Sequence, residues 1–238
     1  MGNQMRCRGF TLIEAIVATA IFAIVTTLIV SFFTLSQTYY AAGSSQADVQ
    51  MGTQYALAEV AKDIQESDPA GISPAAPNSS TALVLISSRN SSGQFVIYNG
   101  EPSGSGSNCG SSPTSDAGKP CWQKWICYYL TPRTGTSYYE LIRKEEALTT
   151  INTELSSIVP APTPSAASIE SASVPQTVLS QYIENFEVQT SCGVPGMYYL
   201  QLNAAKTYGG QLTTYNPGIP VNSGNCASGN WILSLPNN

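Results

Sequence analysis

The sequence predicts an α+β fold in which one long N-terminal helix lies against an antiparallel sheet, and three observations predict it. Residues 10–35 form an apolar run broken by one charge, Glu14. Behind that run a helical pattern continues, with no proline until Pro69. From residue 82 onward, short stretches rich in Val, Ile, Tyr and Trp alternate with breaks rich in Gly, Ser and Pro, which is how strands joined by loops read.

The first element is the apolar run. At 1.5 Å per residue its roughly 26 residues exceed the 30 Å hydrocarbon core of a bilayer. A secretory signal peptide has an apolar region of only about 7 to 15 residues. The run is therefore read as a transmembrane helix, although Ala41-Ala42-Gly43 would suit a signal cleavage site. Arg6 and Arg8 precede it, so the positive-inside rule places the N-terminus in the cytoplasm and the rest of the chain outside.

Arg8-Gly9-Phe10-Thr11-Leu12-Ile13-Glu14, followed at once by a transmembrane-length run, resembles the signal of type IV prepilins and type II secretion pseudopilins. The resemblance implies that a prepilin peptidase cuts between Gly9 and Phe10 on the cytoplasmic side. It implies N-methylation of the new terminal Phe10, and it gives Glu14 the role of the acidic fifth residue of the mature chain, used in assembly. It also implies a long helix packed on an antiparallel sheet. The motif Leu57-Ala58-Glu59-Val60-Ala61-Lys62-Asp63-Ile64, the Tyr139-Glu140-Leu141-Ile142-Arg143-Lys144 strand and the chain length look more like minor pilins of the PilW type, or the minor pseudopilin J, than like major pilins. The proline that kinks the lipid segment of many major pilins is missing here.

The second element continues the helix over residues 36–67. Val49, Leu57, Val60 and Ile64 recur near helical spacing, with Asp48, Glu59, Lys62, Asp63 and Glu66 expected on the polar face. Gly43 and Gly52 each weaken a helix by about 1 kcal/mol relative to Ala. Asp68-Pro69 ends it, because the residue before proline avoids helical geometry. A continuous helix over residues 10–67 would be about 87 Å long.

The remaining elements are strands, expected at residues 82–87, 94–98, 122–130, 138–144, 183–190, 197–203 and 231–235. Residues 99–120 and 156–176 are too polar and too rich in breakers for core, and are expected as long surface loops. Trp122, Trp125, Tyr128, Tyr129, Tyr138 and Tyr139 could form a sugar-binding or adhesive platform. Cross-strand aromatic packing within the sheet is the favoured reading.

Cys7 lies in the leader, while Cys109, Cys121, Cys127, Cys192 and Cys226 lie in the exported part, where thiols pair. Leaving one of these five out and pairing the other four, three ways for each choice, gives fifteen arrangements. The disulfide candidates are Cys192 with Cys226, around the last strands, and Cys109 with Cys121, around a Gly/Ser-rich loop. Cys127 would then be a buried thiol sharing a strand face with Trp125 and Tyr129.

Composition excludes several functions. Only 11% of the 238 residues are charged and there is no histidine, which removes the Ser-His-Asp triad, Cys-His pairs and the common zinc sites. No phosphate-binding loop, EF-hand or hydrolase elbow occurs, and no acidic residue follows Glu187 to build a C-terminal calcium site. Glu184 and Glu187 are read as a solvated strand edge rather than paired acids. The net charge of −5 becomes −7 once Arg6 and Arg8 leave with the leader, a poor match for nucleic acid.

The expected organisation is a cleaved leader (1–9), a transmembrane or filament-core helix (10–35), its amphipathic continuation (36–67) and an exported β-rich domain (68–238). The expected function is a structural subunit of a type IV filament, a minor pilin or pseudopilin, rather than an enzyme, with no catalytic residue, metal or cofactor. A major pilin, a tip adhesin using the two long loops, and a membrane-anchored envelope enzyme are the alternatives. The implied partners are a prepilin peptidase, other pilins or pseudopilins, the inner-membrane assembly platform, and membrane lipid before assembly. The chain would cross the inner membrane once and later join a periplasmic or extracellular filament.

Overall fold

The computed structural model describes residues 11–74, 82–101, 108–110, 112–158, 169–170, 173–190, 197–208, 211–215 and 232–234. Helix α1 runs unbroken over Leu12–Gln65, 54 residues, through both Gly43 and Gly52. Gly52 has a packing reason to be there, since a Cβ at that position would stand 3.1 Å from the Ser180 hydroxyl. Asp68 then accepts a hydrogen bond from the Ala70 amide and opens a single 3-10 turn, Pro69–Gly71. A Cβ on Gly71 would lie 2.4 Å from the Ile86 side chain, so the chain can turn back against the sheet only with glycine at this point.

The strands are β1 (Ser73–Pro74), β2 (Ala82–Ser87), β3 (Trp122–Pro132), β4 (Tyr139–Asn152), β5 (Gln176–Thr190), β6 (Met197–Tyr208), β7 (Gln211–Tyr215) and β8 (Ile232–Ser234). They form one antiparallel sheet in the order β1 to β7, with β8 pairing the start of β6 and β7 its end. The fold is thus the expected α+β, pilin-like arrangement of one long helix on an antiparallel sheet.

Several local expectations are corrected. Residues 94–98 make only isolated bridges, Arg89 to Phe95 and Ile97 to Pro120, and no strand. Strands β4, β5 and β6 are each longer than the apolar runs within them, because the pairing of long neighbours carries the ladder through polar residues such as Glu145, opposite Ile126, and Gln176, opposite Lys144. Strands β1 and β7 were not anticipated. β1 is two residues long, and β7, Gln-Leu-Thr-Thr-Tyr, lacks an apolar run; its pairing with β6 makes it a strand.

Alternation along the central strands builds two cores. On the helix side, Leu83, Leu85, Ile126, Tyr128, Leu141, Leu179 and Phe186 meet Val49, Ala56, Val60 and Ile64 of α1. On the far side, Ala82, Val84, Ile86, Trp122, Trp125, Cys127, Tyr129 and Ile142 are covered by Ile158 and Ile169. The expectation that residues 156–176 form a surface loop therefore fails at these two isoleucines, each about 1% exposed or less. β2 is buried at all six positions because it is sandwiched from both sides. Four of the six clustered aromatics, Trp122, Trp125, Tyr128 and Tyr129, are core residues.

Asp63, expected on the polar face of the helix, is instead buried. Its carboxylate accepts from the Tyr128 hydroxyl and from the Arg143 guanidinium, whose Nη2 lies 2.9 Å away. Arg143 also contacts Glu145, which pairs with Lys124 Nζ at 2.6 Å. Tyr128 and Arg143 thus hold the last turn of the helix to the sheet, and Glu145 and Lys124 extend the network along β4 and β3. Burial strongly disfavours the Tyr128 phenolate and the Asp63 charge beside it adds to this, so the hydroxyl remains a donor.

Candidate functional site

The N-terminal half of α1 is the candidate site, and its first turn is built by four residues. Thr11 is the N-cap, and its hydroxyl accepts from the Glu14 amide. Glu14 reaches back to accept from the Thr11 amide at 3.0 Å and hydroxyl at 2.9 Å. This reciprocal pair satisfies donors at the open end of the helix, where the macrodipole also favours a carboxylate. Thr-x-x-Glu is visible in the sequence at positions 11 to 14; it was the signal that would have found this cap. Glu14 lacks a cationic partner within the apolar run, but not a partner.

Beyond the cap, Leu12, Ile16, Phe22, Ile29, Phe32 and Phe33 are all more than half exposed to their surroundings. Hydroxyls in this segment are turned inward: Thr26, Thr27, Ser31 and Thr38 each donate to the carbonyl four residues back. An apolar medium therefore meets no unpaired donor on these four side chains. Tyr39 and Tyr40, exposed at the end of the run, suit the interface between hydrocarbon and water. The first buried side chain of the helix is Ser45. About 50 Å of helix thus projects from the sheet, more than a bilayer core requires. The chain is a single-pass, membrane-anchored protein by this helix.

Gly9 and Phe10, the expected cleavage and methylation residues, lie outside the described residues, as do Cys192 and Cys226. Cys109 and Cys121 are joined in a disulfide with Cα atoms 5.6 Å apart. With Tyr98 and the partly buried Val96 and Ile151 they make a small third core, so residues 99–120 are not merely a surface loop. That lobe is tied to the end of β4, where Ser112 donates to Asn152 at 2.9 Å and Thr153 to Asp116 at 2.7 Å. Lys119 and Thr153 hold the Asp116 carboxyl below its ordinary range. Cys127 is a free buried thiol on the far face of β3, between Trp125 and Tyr129. Burial in that apolar layer pushes its pKa up to about 12.

No group of three or more His, Cys, Asp or Glu side chains converges among the described residues. Glu184 is exposed on β5. The candidate site is the capped, apolar, projecting helix.

Comparison with known proteins bears on that same segment. The model of the prokaryotic N-terminal methylation motif matches residues 4–30. No curated protein and no solved structure gives a significant match. With a long apolar helix running on from it, the matched motif resembles that of type IV prepilin-like proteins.

Proposed function

We propose that this chain is a minor subunit of a type IV filament system, a minor pilin or pseudopilin that helps to assemble or prime a pilus or a secretion or DNA-uptake pseudopilus. The observation that carries the reading is the methylation motif placed directly on a helix whose first half is apolar and exposed while its second half is the spine of the sheet. Before assembly the apolar half sits in lipid of the inner membrane with the N-terminus cytoplasmic. A prepilin peptidase removes residues 1–9, Phe10 is N-methylated, and the subunit then passes to the assembly platform and to its fellow pilins. The methylation motif supports a structural role for the subunit.

Mass spectrometry of the mature chain tests this. An N-terminus at Phe10 carrying one methyl group is expected, and an intact Met1 or a cut near Ala42 would sink the assignment. A bulky residue in place of Gly9 should leave the precursor uncut. Counting the subunit in sheared filaments separates minor from major, since a minor subunit is rare there.

Glu14 has two uses in this reading. In the lone subunit it caps its own helix; in the filament it neutralises the Phe10 amine of a neighbour or of its own chain, a pairing that gains strength in low dielectric. Glu14→Gln should insert and be processed, since glutamine can reach back in the same capping box, and its incorporation should fall. Normal crosslinking of Glu14→Ala to the other pilins, with full function of the machine, would remove the second use.

A further inference from the structure

Asn99-Gly100 is the one Asn-Gly pair in the sequence, and the fold both exposes the asparagine and fixes the chain around it. It stands at the entrance to the distal lobe, directly after the buried Tyr98. Asn108 clamps the backbone leading into it. Its Oδ1 accepts from the Asn99 amide at 3.1 Å and its Nδ2 donates to the Ile97 carbonyl at 2.7 Å. The Gly118 amide holds the Tyr98 carbonyl at 2.9 Å. Gly100 has φ +79°, and a Cβ there would lie 3.0 Å from the Ala117 side chain, so both backbone and space call for glycine after Asn99.

Within this frame the Asn99 side chain curls over the chain that follows it. Its Oδ1 accepts from the Glu101 amide, two residues on, at 3.2 Å. A side-chain carbonyl that reaches the amide at i+2 lies over the amide at i+1, which brings the Asn99 carboxamide carbon to the Gly100 nitrogen. The Glu101 N–H is aimed at the oxygen on which negative charge grows when that carbon is attacked, as a donor in an oxyanion hole is. Asn90 offers a comparison inside the same molecule. Its Oδ1 also accepts from the amide two residues on, Ser92, at 3.0 Å, but the residue between is Ser91, whose side chain hinders the same attack.

The geometry points to a modification site: Asn99 converts, without an enzyme, to isoaspartate and aspartate through a cyclic succinimide. The Gly100 nitrogen bonds to Asn99 Cγ while its amide proton passes to water or hydroxide. The Cγ–Nδ2 bond then breaks, and the nitrogen takes a proton from solvent and leaves as ammonia. Water opens the ring, giving aspartate when it adds at Cγ and isoaspartate, with a main chain one carbon longer, when it adds at the backbone carbonyl. No electrons are transferred, and water is the one co-reactant. Either product sets a new negative charge beside Glu101. Isoaspartate also shifts the frame in which the Tyr98 hydroxyl donates to the carbonyls of Glu101 at 2.8 Å and Ser112 at 2.9 Å. The distal lobe thus carries a mark of the age of the chain. The inference stands whether or not the filament reading does, which is tested separately at Phe10.

Full-length protein in detergent is held at pH 8 beside an end-blocked peptide, Ile-Tyr-Asn-Gly-Glu-Pro. Aliquots are digested in acid and mapped by mass spectrometry, and isoaspartate is counted with an isoaspartyl methyltransferase and labelled methyl donor. Asn99 should convert about tenfold faster in the native protein than in the peptide, because the Glu101 donor is already in place. Asn90 should stay intact over the same period. Asn108→Ala, which frees the clamp, should bring Asn99 back to the rate of the peptide. The comparison of native protein with peptide needs no variant, so it decides the matter even where the lobe of Asn108→Ala fails to fold. Conversion in the native protein no faster than in the peptide, or equal conversion at Asn90, would overturn the site.

Discussion

Single residues in this chain owe their chemistry to where the fold puts them. Cys127 would be an ordinary thiol in water, but between Trp125 and Tyr129 its pKa rises to about 12. At pH 8 only about one molecule in ten thousand would carry the thiolate, the reactive form. The peptide holding Cys127 should therefore stay unmodified when the native protein meets iodoacetamide at pH 8, and be fully alkylated in guanidinium. Rapid alkylation of the native protein would place that strand face in solvent. Asp63 is the converse case, a charge on an otherwise apolar face that is tolerated because Arg143 and Tyr128 supply three donor contacts to its carboxylate. Asp63→Ala leaves Arg143 without its main anchor, and about 3 to 5 kcal/mol of stability should be lost in denaturant unfolding. A loss below 1 kcal/mol would mean that the pair is dispensable.

At the scale of elements, the pairing of β3 with β4 beside the end of α1 is acid-sensitive. Burial opposes the Glu145 charge, but Lys124 and Arg143 outweigh it and hold its carboxyl below the ordinary carboxylate range. A carboxyl depressed in the folded state contributes stability that is complete above its unfolded pKa, near 4.5, and is lost as the pH falls through the lower folded value. Thermal unfolding followed between pH 7 and 3 should show the melting temperature of the wild type falling below about pH 4.5 more than that of Glu145→Gln. Parallel curves would show that the carboxylate is uncoupled from folding. The distal lobe is a separate element with its own staple. Closing the loop between Cys109 and Cys121, 12 residues apart, stabilises by about 3 kcal/mol on the chain-entropy model. Cys109→Ser with Cys121→Ser should lower stability by up to that amount and expose Tyr98, read as a change in tyrosine fluorescence.

The whole molecule is divided between two solvents along one helix. Among the described residues, every buried apolar side chain lies from Val49 onward, and no residue of the most apolar stretch of the helix is buried in the fold. The first part has no fold of its own to hold it in water, and the second does not need the first. A chain starting at Ala42 should accordingly be soluble without detergent, monomeric, and rich in sheet by circular dichroism. Aggregation of that fragment, or a melting temperature far below that of the full chain in detergent, would show that the projecting helix contributes to the fold.

Some of this was legible in the residues themselves. The membrane-length run, the motif before it and the helical spacing of Val49, Val60 and Ile64 are local patterns, and local patterns specify helices well. Strands β2 and β3 were equally plain, since Ala-Leu-Val-Leu-Ile-Ser and Trp-Gln-Lys-Trp-Ile-Cys-Tyr-Tyr announce burial on their own. So was the Cys109 to Cys121 spacing around a loop with little else to hold it. What the tertiary structure alone decided involves partners distant in sequence. β7 is a strand only because β6 is beside it, Asp63 is buried only because Arg143 arrives 80 residues later, and Ile158 and Ile169 become core because they come to lie against the far face of the sheet. The same holds for Arg133 and Lys206, which stack on the Tyr182 ring only where three strands bring them together. A helix closes its hydrogen bonds within one turn, so its sequence suffices; a sheet closes them across the chain, and its edges, covers and charged pairs are settled only by what comes to lie alongside.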